Sequence, residues 1–315
     1  MATQSGAAAK FYWGAETLEG TAPGGNWDQF PAFDLDIDAA PGLQEDALLS
    51  ANARRNAADP YQSVAQVEGR ALVPLDSVHL GWWLKMLLGA PSTSGSGPYT
   101  HVYKSGGTAF VTRAIEKAFP TIARYEVSTG VRANTMELSI APDGSAQMAV
   151  GLLCLAGAHA GSSVAGTPVV TAFTRFHQTQ GAISYNGSAL AGVTAGTFRF
   201  ANGLVAAPTV GSGLGIGGID TGQASGGGSI TLRFQNHTQE AVARALTAVS
   251  LTQTYTVSAD LSLELHYARA FLKPTSAAIS GPGGITRNYD FIAADDTSTA
   301  SLLRVTLENA VASYA

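Results

Sequence analysis

Asp34, Asp36 and Asp38 alternate along PAFDLDID, and Glu45 stands twelfth from Asp34. Carboxylates at those steps are the ligand set of a calcium-binding loop. The sixth position, where such a loop turns on glycine, is Ala39, and Phe33, Leu35 and Ile37 occupy alternate positions as in a strand. A solvated acidic strand face is the expected reading. Gly213, Gly215 and Gly218 match the G-x-G-x-x-G spacing of a phosphate-cradling turn. That turn must open a helix, whereas Ile219-Asp220-Thr221-Gly222 and further glycines follow, so the stretch reads as a loop. The histidines (79, 101, 159, 177, 237 and 266) form no i, i+4 pair and have no cysteine partners. Asp290, Asp295 and Asp296 read as a solvated acidic turn. Cys154 lies in the apolar run from Val150 to Leu155 and reads as a buried small hydrophobe. There is no Gly-Lys-Ser/Thr phosphate loop and no G-x-S-x-G elbow. We therefore expect no enzyme, no metal site and no cofactor. The chain must act through its surfaces.

The composition suits that role. The 315 residues include 36 glycines, only 13% are charged, and the net charge is −5. Short strands joined by Gly-rich turns fit such a chain better than salt-bridged helices. No basic field invites nucleic acid or an anionic membrane. The first residues lack a basic stretch followed by an apolar one, so no secretory signal is expected, and no apolar run is long enough to span a bilayer.

The strongest local pattern lies in residues 125–159. Met136, Leu138 and Ile140 alternate with Thr135, Glu137 and Ser139, and after Asp143-Gly144 the alternation resumes as Ala146, Met148, Val150 and Leu152. A period of two with a turn-forming Asp-Gly predicts a hairpin with one apolar face. Asn186-Gly187 marks a second tight hairpin. SVHLGWWLKMLLGAP predicts a helix capped by Asp76 or Ser77 and ended by Gly89, and HTQEAVARALTA predicts a shorter one. Residues 43–58 suggest a short helix or an irregular turn, and 160–168 a linker or surface loop. Residues 1–30 read as an arm whose aromatics must find a surface in their own domain or in a neighbour.

The two halves echo one another. Ala71, Val73 and Leu75 align with Ile230, Leu232 and Phe234 at a shift of 159, and the helices that follow overlap. Phe33-x7-Pro41 matches Phe200-x7-Pro208, and residues 280–314 resemble the 125–159 hairpin, with Asn134 matching Asn288. Repeats in constant order predict a duplicated unit of about 150 residues. The expected fold is mainly β: two tandem β-sandwich or barrel modules, 1–168 and 169–315, each with a flanking short α-helix.

An ordered set of strings then carries a resemblance: Gly14-Ala-Glu-Thr-Leu-Glu-Gly-Thr, Gly81-Trp-Trp-Leu-Lys-Met-Leu-Leu-Gly-Ala-Pro, Ile115-Glu-Lys-Ala-Phe, Ser128-Thr-Gly-Val and Val305-Thr-Leu-Glu-Asn. The chain resembles the tail tube (major tail) proteins of long-tailed bacteriophages, the larger type near 300 residues. The resemblance implies rings that stack into a tube conducting double-stranded DNA. It implies a virion protein assembled in the host cytoplasm, with tape measure and tail terminator or distal tail proteins as partners. A secreted or surface β-sandwich adhesin or carbohydrate-binding module is the alternative that shares the composition. With two modules per chain, a ring of three chains is expected, pseudo-hexameric, with six chains as the competing count. The polar residues Thr135, Glu137, Ser139 and Gln147 are expected in the lumen or at a subunit interface. Phe11, Tyr12, Trp13 and Trp27 are expected at contacts between rings. The Gly-rich loops at 92–98 and 211–228 are expected, with the arm, to order against neighbours.

Overall fold

The alternation in the middle stretch does what its period demands. Met136, Leu138, Met148, Val150 and Leu152 are buried, while Thr135, Ser139 and Ala149 stay exposed. A computed structural model of the chain describes residues 3–46, 59–211, 215–277, 279 and 281–314. The first half contains β1 (Lys10–Ala15), β2 (Trp27–Gln29), β3 (Asp34–Asp36), β4 (Ala40–Gln44), β5 (Tyr61–Gln66), β6 (Glu68–Pro74) and α1 (His79–Leu88). It continues with β7 (Ser92–Ser94), β8 (Tyr99–Lys104), β9 (Arg113–Phe119), β10 (Arg124–Ile140), β11 (Gln147–Leu153) and β12 (Ala156–Ala160). After β13 (Val169–Val170) come β14 (Gly181–Tyr185), β15 (Ser188–Ala189), β16 (Val193–Ala201), β17 (Val205–Ala207), β18 (Gly218–Asp220) and β19 (Ser225–Arg233). The chain ends with α2 (Thr238–Arg244), β20 (Val249–Ser258), β21 (Leu261–Leu272), β22 (Thr286–Ala293) and β23 (Arg304–Asn309). The fold is mainly β, with two α-helices among the described residues.

Strand pairing repeats across the chain. In the first half β1 pairs β9, and β9 pairs the N-terminal part of β10, which also pairs β12. The C-terminal part of β10 pairs β11, then β6, then β3. In the second half β14 pairs β20, and β20 pairs β21, whose N-terminal part also pairs β23. The end of β21 pairs β22, then β19, then β16. A small separate hairpin, β4–β5 or β17–β18, interrupts both halves at the same step. Even an irregularity recurs. From Ser128 to Val131 β10 advances three residues against two on β9, Ile115 to Arg113; β21 does the same from Tyr267 to Ala270 against Leu251 to Val249. Such a bulge bends a strand, which lets one strand serve two sheets. It sets Ala270 equivalent to Val131, a shift of 139 (270 − 131).

The halves also join. β10 carries β11 on one side and β16 on the other, with Thr135 opposite Ala201 and Ile140 opposite Gly196. One sheet therefore runs β3–β6–β11–β10–β16–β19–β22 through both halves. The β8–β23 pair and the parallel β2–β13 pair tie them again. α1 packs under β10 and β8. Asp76 Oδ1 accepts the N–H groups of Val78 and His79 at 2.8 and 2.6 Å and so caps the helix start. Gly89, at φ +89°, turns the chain out as its N–H bonds the Lys85 carbonyl.

Several expectations need correction. The arm is built into a sheet: β1 lies between β2 and β9, so it orders within the chain. Residues 280–314 hold no hairpin, because β22 and β23 pair opposite ends of β21 instead of each other. The equivalent of the 125–159 hairpin is β21 with β22, and Asn134 matches Lys273 at the shift of 139, not Asn288. Cross-strand partners keep the shift of 159 for β6 and β19, but they set β3 against β16 at 161 (Asp34 with Ala195), where the Phe33 match assumed 167. Residues 92–94 and 225–228 are strand. Gly226 and Gly228 are needed there because a Cβ would strike Leu302 and Tyr267 at one and the Thr197 carbonyl at the other. Residues 161–168 are the surface loop expected, and it is docked, with Ser163 Oγ and Val164 N–H donating to the buried Glu116 carboxylate at 2.6 and 2.7 Å. Of 43–58, residues 43–44 belong to β4, and 47–58 lie outside the described residues, as do 212–214 of the Gly-rich stretch.

Candidate functional site

The residues capable of chemistry are dispersed. Among the described residues no group of His, Cys, Asp and Glu could hold a metal ion. Asp34 and Asp36 are exposed on β3, and Asp34 Oδ2 pairs Arg70 Nη2 at 3.2 Å. His79 is buried between Asp76 and the Gln29 carbonyl, and His101 between Thr93, Asn309 and the Val311 carbonyl. Cys154 is fully buried, and burial pushes its thiol up to about 12, so it stays protonated.

What the fold does build is a face. On the sheet that crosses both halves, alternate side chains of every strand point away from the core. Registers bring Thr135, Glu137 and Ser139 of β10 beside Ala201, Arg199 and Thr197 of β16. Glu137 is also opposite Ala149 of β11, and Gln147 lies one alternation along the same strand. Thr135 and Ser139 are exposed, while Glu137 and Gln147 are half-buried. Arg199 reaches Glu137 with two prongs, Nε to Oε2 at 2.8 Å and Nη2 to Oε1 at 3.3 Å. That bond and charge hold the guanidinium pKa above its ordinary value. Farther along, Thr197 meets Ser229 at 3.1 Å, Thr231 meets Asn288 at 3.0 Å, and Asn288 meets Asp290 at 2.9 Å. A hollow of about 450 Å³ lies where Gly226–Gly228 leave the face bare beside Glu137 and Arg199. Its polar side chains are those of Thr135, Glu137, Arg199 and Ser225, and the carboxylate is engaged by the guanidinium. The strands of this sheet contain no lysine; Arg70 and Arg199 are each tied to a carboxylate, and Arg233 at the end of β19 is exposed on the same face.

Sequence reasoning missed the residues that fasten the halves. Asn202 Nδ2 donates to the Leu87 and Ala133 carbonyls at 2.7 and 3.2 Å, joining β16, α1 and β10. Asn134 makes a closed pair with Leu204, Nδ2 to the carbonyl at 3.2 Å and Oδ1 from the N–H at 2.9 Å. An Asn just past a strand, Asn202, was the available signal, but its partners lie 115 and 69 residues away.

The arm aromatics are covered by the chain itself. Trp13, Trp27 and Tyr12 are buried, and Trp13 stacks on Phe30 at 4.6 Å and meets Trp83 edge-on at 5.0 Å. As contacts between rings, these three are corrected: their rings are spent on the core. Phe11 alone remains partly exposed. No helix among the described residues is long and apolar enough to cross a membrane. A family model described as phage tail tube protein matches residues 6–293. No curated protein matches the chain.

Proposed function

Because the chain belongs to the phage tail tube protein family, a structural family of the virion tail, we propose that its copies close into rings that stack as the conduit for double-stranded DNA. The observation that carries this reading is the solvent-facing, largely polar side of the one sheet that runs through both halves. Its apolar side is used by the chain's own core, which leaves Thr135, Glu137, Ser139 and Gln147 to water or DNA in the lumen. Arg70 and Arg199, neutralised by carboxylates on that face, grip phosphates weakly, which favours sliding of the DNA. Phe11 is the one arm aromatic that keeps a role between rings.

The repeated pairing pattern supports two modules, divided near residues 168 and 169, and thus three chains in a pseudo-hexameric ring. Each chain already holds two modules side by side at high effective concentration, which favours closure over open oligomers. Tape measure and tail terminator or distal tail proteins are the partners such a tube needs. Assembly takes place in the host cytoplasm. Negative-stain microscopy with mass measurement of isolated rings tests the reading. A ring of about three times 32.3 kDa is expected; twice that mass refutes the three-chain ring, and purified protein that never forms rings or tubes refutes the assembly.

A further inference from the structure

We infer that the joint between copies repeats a joint already present inside each chain: residues 274–277 of one copy pair, antiparallel, with residues 37–40 of the next. The inference rests on the ring reading above and names its contact surface.

The internal joint is β10 against β16. At the shift of 139 the counterpart of β10 is β21, and at 161 the counterpart of β16 is β3. Both counterparts stop short. β21 ends at Leu272, equivalent to Ala133, whereas β10 continues to Ile140. β3 ends at Asp36, equivalent to Thr197, whereas β16 continues to Ala201. The missing lengths are those that β10 and β16 supply to each other. A strand extends where it has a partner, so the two short strands are the two open sides of one unfilled joint.

Carrying the internal register across sets Pro274 opposite Ala40, Thr275 opposite Ala39, Ser276 opposite Asp38 and Ala277 opposite Ile37. Exposure already alternates as this requires. Pro274 and Ser276 are exposed and Thr275 and Ala277 half-buried, as Thr135 is exposed and Met136 and Leu138 are buried. The proline is compatible too. In the internal joint the Asn202 N–H donates to the Asn134 carbonyl, which makes 134/202 and 136/200 the hydrogen-bonded pairs. Thr135 lies between them, so its equivalent Pro274 needs no N–H for the ladder. Asn202 corresponds to Pro41, which has no N–H, and the pairing therefore ends at Ala40. In the separate chain Glu240 Oε2 accepts the Thr275 N–H at 3.1 Å. That shields the edge, and docking exchanges the bond for one to the Ala39 carbonyl.

Ser276 and Asp38 form a non-hydrogen-bonded pair, where facing Cβ atoms come within disulfide reach. The test is oxidation of assembled S276C/D38C protein, with S276C/D36C as the control displaced by two residues. Native Cys154 is buried and does not compete. Denaturing non-reducing gels should show a ladder of linked chains for the first variant and on the order of tenfold less for the second. If the double variant folds poorly, mixing the two single variants, S276C and D38C, should give linked dimers in place of the ladder. Preferential linkage through D36C overturns the register. Intact tubes with no linkage in either variant overturn the joint while leaving the ring reading standing. A wild-type chain that makes no rings overturns both.

Discussion

Gly81 in α1 and Glu240 in α2 stand at the same step of the repeated fold, 159 residues apart (240 − 81). They close that step by opposite means. At Gly81 the absent side chain admits the ring of Tyr314, which a Cβ would strike, and the Gly81 carbonyl accepts Tyr103 Oη at 2.9 Å. Tyr314 Oη in turn donates to the Val78 carbonyl at 2.8 Å and meets Asn309 Nδ2 at 2.8 Å. At Glu240 a buried carboxylate takes Arg244 Nε at 2.6 Å, the Thr275 N–H at 3.1 Å and Arg287 Nη1 at 3.7 Å. Arg287 itself lies over Phe234 at 4.9 Å. The first helix is sealed by apolar packing and the second by charge. One backbone arrangement thus tolerates two chemistries, because topology fixes the space and not its contents.

If that contrast is right, the first half should suffer most from losing its aromatic seal. Tyr314 is fully buried. Tyr314→Ala removes a large ring and strands the Val78 carbonyl, and we expect a loss of about 3–5 kcal/mol in denaturant unfolding. A loss below about 1 kcal/mol would show that α1 is held by Trp83 and its neighbours without the C-terminal cover.

The second half should instead respond to pH. The Thr275 N–H, ahead of Arg244 and Arg287, holds the Glu240 carboxyl below its ordinary pKa. A depressed folded-state value means that its stabilisation is complete above the unfolded carboxylate pKa and is lost as pH falls through the folded one. Glu240→Gln should cost about 1–2 kcal/mol at neutral pH and flatten the acid limb of the stability profile. An unchanged acid limb breaks the comparison. Tyr314→Ala should leave that limb in place.

The contrast also explains what could be read from residues alone. The 125–159 hairpin, the Asn186-Gly187 turn and the ends of α1 were legible because alternation, turn residues and caps act between near neighbours. The 159 shift was legible because β6 and β19 carry the same inward pattern before a helix. The shifts of 161 and 139 were not. They depend on cross-strand registers and on a bulge at Ser128–Val131 that no local pattern marks. Of the two surfaces left open for the arm's aromatics, its own domain is the one used, and no local pattern could choose it, since Trp13 is buried by partners at Phe30 and Trp83. Of the candidate face, Thr135, Glu137, Ser139 and Gln147 were visible in the alternation, but Arg199, which sets the charge at Glu137, became visible only when β16 was found beside β10.

The smallest expected effect on stability belongs to that pair, and it separates the two faces of the sheet. The Glu137 and Arg199 side chains are 41% and 58% exposed, so their ion pair contributes at most about 0.5 kcal/mol. Glu137→Gln should therefore leave unfolding and tube formation as they are in the wild type. Its consequence is electrostatic. Arg199 loses the carboxylate that neutralises it, and each chain then offers the lumen an unpaired guanidinium. In a tube of stacked rings these recur at every level along the path of the phosphates. Short duplex DNA incubated with open-ended tubes at low salt should be retained by the variant and pass the wild type, and retention should vanish as salt rises. Retention that is equal for both proteins would place the Glu137–Arg199 pair outside the channel. The polar face would then belong to the outside of the tube, and the joint between residues 274–277 and 37–40 would close the ring with the opposite side turned inward.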